Sequence, residues 1–206
     1  MQQASLFEAS LTTRPGIIRV GVDEVGRGPL VGEVVAAAVI LPADCRLQLK
    51  DSKKMTHVQR VEMAEKIREV ALDYAVIGVC AKTIDDINIL QATMLAMRQS
   101  VEALTQPFDV VLVDGNRCPE LSCDCRAIVK GDALIAEISA ASILAKVYRD
   151  EQMMQLHAQY PDYGFDRHKG YPTVEHLAAI ERYGLIEGYR SSFKPVRQWL
   201  EKNQIS

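Results

Sequence analysis

The 206-residue chain has no apolar run near the roughly 20 residues that a bilayer-spanning helix needs. Its N-terminus carries no basic region leading into an apolar stretch, so no export signal is read there and a cytoplasmic protein is expected. Cysteine is sparse and odd in number: Cys45, Cys80, Cys118, Cys123 and Cys125 form no Cys-x-x-Cys, which argues against a disulfide framework. Cys118, Cys123 and Cys125 are close enough to suggest zinc, but no fourth ligand stands at the usual spacing, and loop and core thiols are the favoured reading. Repeats and low-complexity segments are absent, so solenoid and linker architectures drop out. A basic excess is missing too. The net charge of −3 is unexpected for a phosphate binder. Locally the balance reverses: from 167 to 202 seven Lys or Arg face four Glu, although an excess of this size does not by itself separate a groove from a solvated face.

What the chain does have is carboxylates at the ends of apolar runs. Asp23 and Glu24 close the run that begins at Ile18, Asp114 closes Val110–Val113, and Asp132 follows Ile128-Val129-Lys130-Gly131. Adjacent side chains on a strand point to opposite faces, so Asp23 and Glu24 cannot both enter one core, and burying either charge without a partner is costly. One such carboxylate could simply cap a helix or turn. Four together, far apart in sequence and able to converge at strand ends, suit a hard oxygen-ligated cation, Mg²⁺ or Mn²⁺.

With 48% hydrophobic residues the chain can bury one sizeable core, and length permits one domain or two. Strands are expected at 18–25, 34–41, 74–81, 110–113 and 127–129, each rich in Val, Ile or Ala and bounded by Gly, Pro or Asp. Thr56 with Gln59 forms a capping box that opens a helix with Met63, Ile67, Val70 and Ala71 on its inner face. A second helix, expected after Thr83, carries Ile87, Leu90, Met94, Met97, Val101 and Leu104 in a stripe that packs on the sheet. A third follows Asp132, with Ile138, Ala141 and Ala145 as a small-residue face and the aspartate near its positive dipole end. After Tyr160-Pro161 short helices and polar loops are expected, with Thr173 as an N-cap and Gly184 as a C-cap. The class is α/β, a mixed sheet followed by a smaller helical region; the strand order does not follow from the pattern.

The segments GVDEVGRGPLVGEVVAAAVIL (21–41), DSKKMT (51–56), VDGN (113–116), KGDALIAEISAASILAKVYRD (130–150) and YPDYGFDRHKGYPTVEH (160–176) together resemble bacterial ribonuclease HII, in the family's order and from about residue 17 to 197. A departure is Tyr189-Arg190-Ser191-Ser192-Phe193, where the family more often has a His and further basic residues before the Phe; it bears on the C-terminal backbone-phosphate contacts alone. The resemblance implies a ribonuclease H-like five-stranded mixed sheet flanked by helices, with a C-terminal helical extension. It divides the chain into a flexible tail (1–16), a catalytic domain (17–159) and a helical substrate-binding region packed on it (160–206). It also implies that Asp23, Glu24, Asp114 and Asp132 ligate the metal. Hydrolysis of the RNA strand of RNA–DNA hybrids, and cleavage 5′ of ribonucleotides embedded in duplex DNA, would leave 5′-phosphate and 3′-hydroxyl ends and serve ribonucleotide removal in replication and repair. Two divalent ions roughly 3.5–4 Å apart can perform such hydrolysis with no nucleophilic side chain.

Selection for a ribonucleotide must rest on its 2′-hydroxyl. Gly26-Arg27-Gly28 suits that task because glycine lets backbone groups approach a ligand closely, and the resemblance implies that this tripeptide reads the hydroxyl while Tyr171 packs on the sugar at the RNA-to-DNA junction. Lys53, Lys54 and Lys130 are candidate phosphate contacts. Core packing is favoured for Tyr160, Tyr163 and Phe165. Gly26, Gly28 and Gly32 also resemble a loosened dinucleotide fingerprint, but that loop must open a helix, and residues 33–40 read as strand. A non-catalytic hybrid-binding module would need the carboxylates to be missing, and all four are present. In the leader, Gln3-Ala4-Ser5-Leu6-Phe7 resembles a sliding-clamp docking peptide, with Leu6 and Phe7 as an apolar anchor pair. A monomer without membrane contact is expected.

Overall fold

The computed structural model describes residues 16–49 and 55–203. Its centre is a five-stranded sheet of β1 (Arg19–Val25), β2 (Val34–Ile40), β3 (Asp73–Val79), β4 (Val110–Asp114) and β5 (Cys125–Ile128), in the order β3-β2-β1-β4-β5. β2 pairs antiparallel with β1 and β3, whereas β4 lies parallel to β1 and to β5. Every residue of β2, Val-Val-Ala-Ala-Ala-Val-Ile, is buried, as expected of a strand covered on both faces.

The period-two alternation divides these strands between two cores. On one face Val34, Ala36, Ala38 and Ile40 join Val20, Val22, Val111 and Val113 beneath α2 (Ala81–Glu102). On the other, Val35, Ala37 and Val39 meet Ala64 and Ile67 of α1 (His57–Val70) and the run Ala140–Ala145 of α4 (Ala136–Gln159). Between β5 and α4 lies α3 (Gly131–Leu134), a single turn that holds Asp132. The remaining chain forms a 3₁₀ turn (Pro161–Tyr163), α5 (Phe165–His168), α6 (Val174–Tyr183) and α7 (Lys194–Lys202). Tyr163, Phe165, Ile180 and Val196 close a separate core there with Leu30 and Val31.

Several sequence expectations shift by a turn. The Thr56–Gln59 capping box is present, but the buried face of α1 is Arg60, Ala64 and Ile67, and Val70 is exposed. Helix α2 begins at Ala81 and breaks at Asn88, whose φ of 68° is left-handed and whose Oδ1 accepts from the amides of Leu90 and Gln91. The break changes the helix phase. Ile84, Ala92, Ala96, Met97 and Val101 face the sheet, while Ile87, Leu90 and Met94 line an outer groove of about 510 Å³. The helix expected after Asp132 is interrupted at Ile135, separating α3 from α4. Thr173 and Gly184 cap α6 as expected, and Ile138, Ala141 and Ala145 are wholly buried. Tyr163 and Phe165 are core residues, whereas Tyr160 is exposed.

The close approach of α4 to β1 depends on Gly21. A Cβ there would lie 2.0 Å from the Glu137 carbonyl carbon, in backbone that cannot yield locally. Gly21→Ala is therefore expected to destabilise the fold by about 3 kcal/mol, read in a thermal melt as a fall in Tm of roughly 10 °C; an unchanged Tm would contradict this packing.

Candidate active site

Because β1 and β4 run parallel in register, with Val22 opposite Val113, they deliver their terminal carboxylates to one end of the sheet. Asp23, Glu24 and Asp114 line a cleft of about 270 Å³ with Val25, Arg60, Ser142, Lys146 and Tyr171. Asp23 is 5% exposed; its Oδ1 accepts the Glu24 amide at 2.7 Å, and the Ser142 hydroxyl also donates to its carboxylate. Burial, with repulsion from Glu24 and Asp114, pushes the Asp23 carboxyl up to about 8. Burial raises Glu24 as well, a shift opposed by Arg27, whose Nη1 lies 3.3 Å from its Oε1. Asp132 does not line the cleft; its amide donates to Asp114 Oδ1 at 3.4 Å, which ties α3 to the end of β4.

Three of the four sequence-derived carboxylates thus share one cavity, and the fourth adjoins it. Among the described residues no three His, Cys, Asp or Glu side chains form a ready-made metal cage. The arrangement is open, which suits Mg²⁺, an ion that keeps several waters and binds through one or two carboxylates plus substrate phosphate. The donor set fits a hard divalent cation: all oxygen, and including a buried carboxyl that only a nearby positive charge would hold ionised at neutral pH.

The recognition candidates divide. Tyr171, 45% exposed, lies against Gly28, where a Cβ would meet its ring at 3.0 Å, and Gly26 adopts a φ of 87° that favours glycine. Behind Tyr171 two stacked, buried histidines fix the backbone. His176 Nδ1 donates to the Tyr171 carbonyl at 2.9 Å and its Nε2 accepts from the Tyr189 hydroxyl at 2.7 Å, while His168 Nδ1 accepts the Gly170 amide. Burial lowers His176 to about 4, so it stays neutral in this role. Lys130, a candidate phosphate contact, is exposed in a left-handed turn next to Asp132 and does not line the cleft. Lys53 and Lys54 lie outside the described residues, as do Gln3, Leu6 and Phe7. Cys123 and Cys125 pack beside the sheet core, where burial next to Cys118 raises the Cys125 thiol.

Sequence reasoning missed Ser142 and Arg60. Ser142, Lys146 and Asp150 fall four residues apart on α4, a polar stripe through its apolar run Ala140–Val147 that could have been read. Asp150, buried, holds Lys146 Nζ at 2.6 Å and Arg60 Nη1 at 3.3 Å, keeping two cations at the cleft. Nothing local announces Arg60, whose partner is ninety residues away.

The family model for ribonuclease HII matches residues 20–196. The chain belongs to the ribonuclease HII family. Its sequence is 59% identical over 182 residues to the ribonuclease HII of Hydrogenovibrio crunogenus, covering 88% of each chain, and 55% identical to that of Vibrio vulnificus, covering 87% of each. Among solved structures it resembles the ribonuclease H2 of Pyrococcus horikoshii OT3, with 26% identity and a TM-score of 0.78 over 92% of this chain and 100% of that one. It also resembles Bst-RNase HIII in complex with Mn²⁺, with 18% identity and a TM-score of 0.69 over 92% of this chain and 71% of that one, a likeness of fold alone. This ribonuclease HII family member is a metal-dependent endoribonuclease of the ribonuclease H type, and no helix among its described residues is long and apolar enough to cross a membrane.

Asp23 also gives a pH signature. Its carboxyl sits higher in the folded chain than the ordinary 3.8, so its protonated form adds stability at low pH that is lost as pH rises towards about 8. In chelator, Asp23→Asn should therefore gain in Tm over the wild type as pH goes from about 4 to about 8, and Mg²⁺ should narrow the gap; a gap independent of pH would contradict the assigned environment.

Proposed function

We propose that this enzyme hydrolyses the RNA strand of RNA–DNA hybrids and cuts 5′ of ribonucleotides embedded in duplex DNA, leaving 5′-phosphate and 3′-hydroxyl ends. The observation that carries the reading is the juxtaposition of a carboxylate-lined cleft with a glycine surface under an exposed tyrosine: Asp23, Glu24 and Asp114 share the cavity with Tyr171, whose ring rests on Gly28. A duplex whose scissile phosphate lies over the carboxylates would then present the neighbouring sugar to Gly26-Arg27-Gly28 and Tyr171.

Asp23, Glu24, Asp114 and Asp132 would hold Mg²⁺ or Mn²⁺, two such ions supplying an activated water and charge stabilisation at the leaving oxygen. Ser142 orients the Asp23 carboxylate through its hydroxyl, and Arg27 balances Glu24. Lys146 and Arg60, held by Asp150, supply positive charge towards the phosphate backbone. Lys53 and Lys130 complete this reading as phosphate contacts. Tyr171 offers a flat apolar face to the sugar while the neutral His176 keeps its carbonyl fixed. Ribonucleotide removal during replication and repair follows from the substrate. Docking on a sliding clamp through Gln3, Leu6 and Phe7 is part of the same reading; the Archaeoglobus fulgidus ribonuclease HII was solved with PCNA.

A labelled DNA duplex carrying one ribonucleotide should be cut 5′ of that residue with Mg²⁺ or Mn²⁺ and left intact in chelator. Asp23→Asn and Asp114→Asn should each lose more activity than the roughly 100-fold that removal of an outer-shell partner costs, with the fold retained by circular dichroism. Tight binding without cleavage would instead indicate a hybrid-binding module.

A further inference from the structure

The loop that carries Gly26-Arg27-Gly28 is built around a buried cation over 150 residues away in the chain. Arg190 is 0% exposed, and all five of its N–H groups are used on the backbone of that one loop. Its Nε donates to Gly32 O at 3.0 Å. Its Nη1 donates to Arg27 O at 3.0 Å and Pro29 O at 2.7 Å, and its Nη2 to Gly26 O at 2.7 Å and Glu33 O at 2.9 Å. Arg190 makes no ion pair among the described residues, so these carbonyls are what holds an otherwise costly buried charge. Burial draws the guanidinium down to about 9, consistent with a group deprived of water.

The segment bearing Arg190 is fastened on every side. Its amide donates to Leu30 O at 2.8 Å, Gly32 N donates to Gly188 O at 2.8 Å, and Val31 bridges Tyr189. Beneath, the Phe193 ring lies 5.1 Å from the guanidinium carbon. Beyond, the Asp85 carboxylate of α2 accepts four hydrogen bonds, from the amides and hydroxyls of Ser191 and Ser192, at 2.5–2.9 Å. Leu30 N in turn donates to Gly170 O at 2.8 Å, the residue before Tyr171.

The direction of these bonds matters. In a planar trans peptide the C=O and the following N–H point to opposite sides, and no peptide in the described chain is cis. With the Gly26 and Arg27 carbonyls turned onto Arg190, the amides of Arg27 and Gly28 must face away from it. Leu30 shows the same rule at work: the Pro29 carbonyl points to Arg190, and the Leu30 amide points out to Gly170.

We propose that Arg190 is the positioning residue for ribonucleotide recognition, holding the Gly26-Arg27-Gly28 peptides with their amides turned outward to meet the substrate 2′-hydroxyl. The inference rests on the functional reading above and extends it to a residue that touches no substrate. Lysine keeps the charge at this position but has three donors and no planar fork, so Arg190→Lys leaves at least two loop carbonyls without their partner and frees the peptides to rotate.

The test pairs a protein change with a substrate change. Cleavage efficiency, kcat/KM, is measured for the wild type, Arg190→Lys and the milder Asp85→Asn on two duplexes, one with a single ribonucleotide and one with a 2′-fluoro nucleotide at the same position. The wild type should prefer the ribonucleotide by about 100-fold or more, since a site whose amides donate to a hydroxyl oxygen rejects an analogue whose fluorine is a far poorer acceptor. Arg190→Lys should shrink that preference by about 10-fold, and Asp85→Asn by less in the same direction. Equal losses on both duplexes, with the preference intact, would overturn the proposal and leave Arg190 a purely structural residue; Asp85→Asn decides the matter in the same way if Arg190→Lys fails to fold. A wild type that cuts neither duplex would overturn the functional reading itself, and this inference with it.

Discussion

The parallel pairing of β1 with β4 at the middle of the sheet is the constraint from which the rest of the molecule follows. Two adjacent parallel strands end at the same edge, so the chain needs only to place Asp23-Glu24 and Asp114 at their ends for the carboxylates to meet. Parallel strands require covering on both faces, which α2 supplies on one side and α1 with α4 on the other. Gly21 then sets how closely α4 can lie to β1, and that spacing brings Ser142 within reach of Asp23 and Lys146 to the cleft wall.

This geometry carries an energetic cost. A carboxyl raised to about 8 is a group the fold holds in the wrong protonation state for neutral pH, and only a cation can reconcile its burial with its charge. The same logic recurs at Arg190, a buried cation reconciled by five carbonyls rather than by an anion. One side of the cleft is thus short of positive charge and the loop beside it is arranged around one. Both deviations from ordinary core chemistry lie where substrate would sit.

The carboxylates were legible because an Asp at the end of a Val-rich run has few reasons to be there, and the glycines beside Arg27 because a Cβ would obstruct. Strand order was not legible: β2 is apolar throughout and β4 is apolar up to Asp114, and such runs carry no record of which neighbour they pair with. Asn88 escaped notice because a single Asn between Ile87 and Ile89 does not interrupt a helical pattern, although its side chain caps the next turn and rephases α2. Arg190 sits among Tyr, Ser and Ser and reads as a surface charge; its partners are backbone carbonyls between residues 26 and 33, which only the tertiary fold assembles.

The central claim, that the sheet assembles these carboxylates to hold a divalent cation, is tested most directly by titrating Mn²⁺ into the enzyme without nucleic acid and following the free ion by electron paramagnetic resonance. Saturable binding that is lost in both Asp23→Asn and Asp114→Asn, substitutions on separate strands, is the result the account predicts. Binding that survives in either variant unchanged would contradict it.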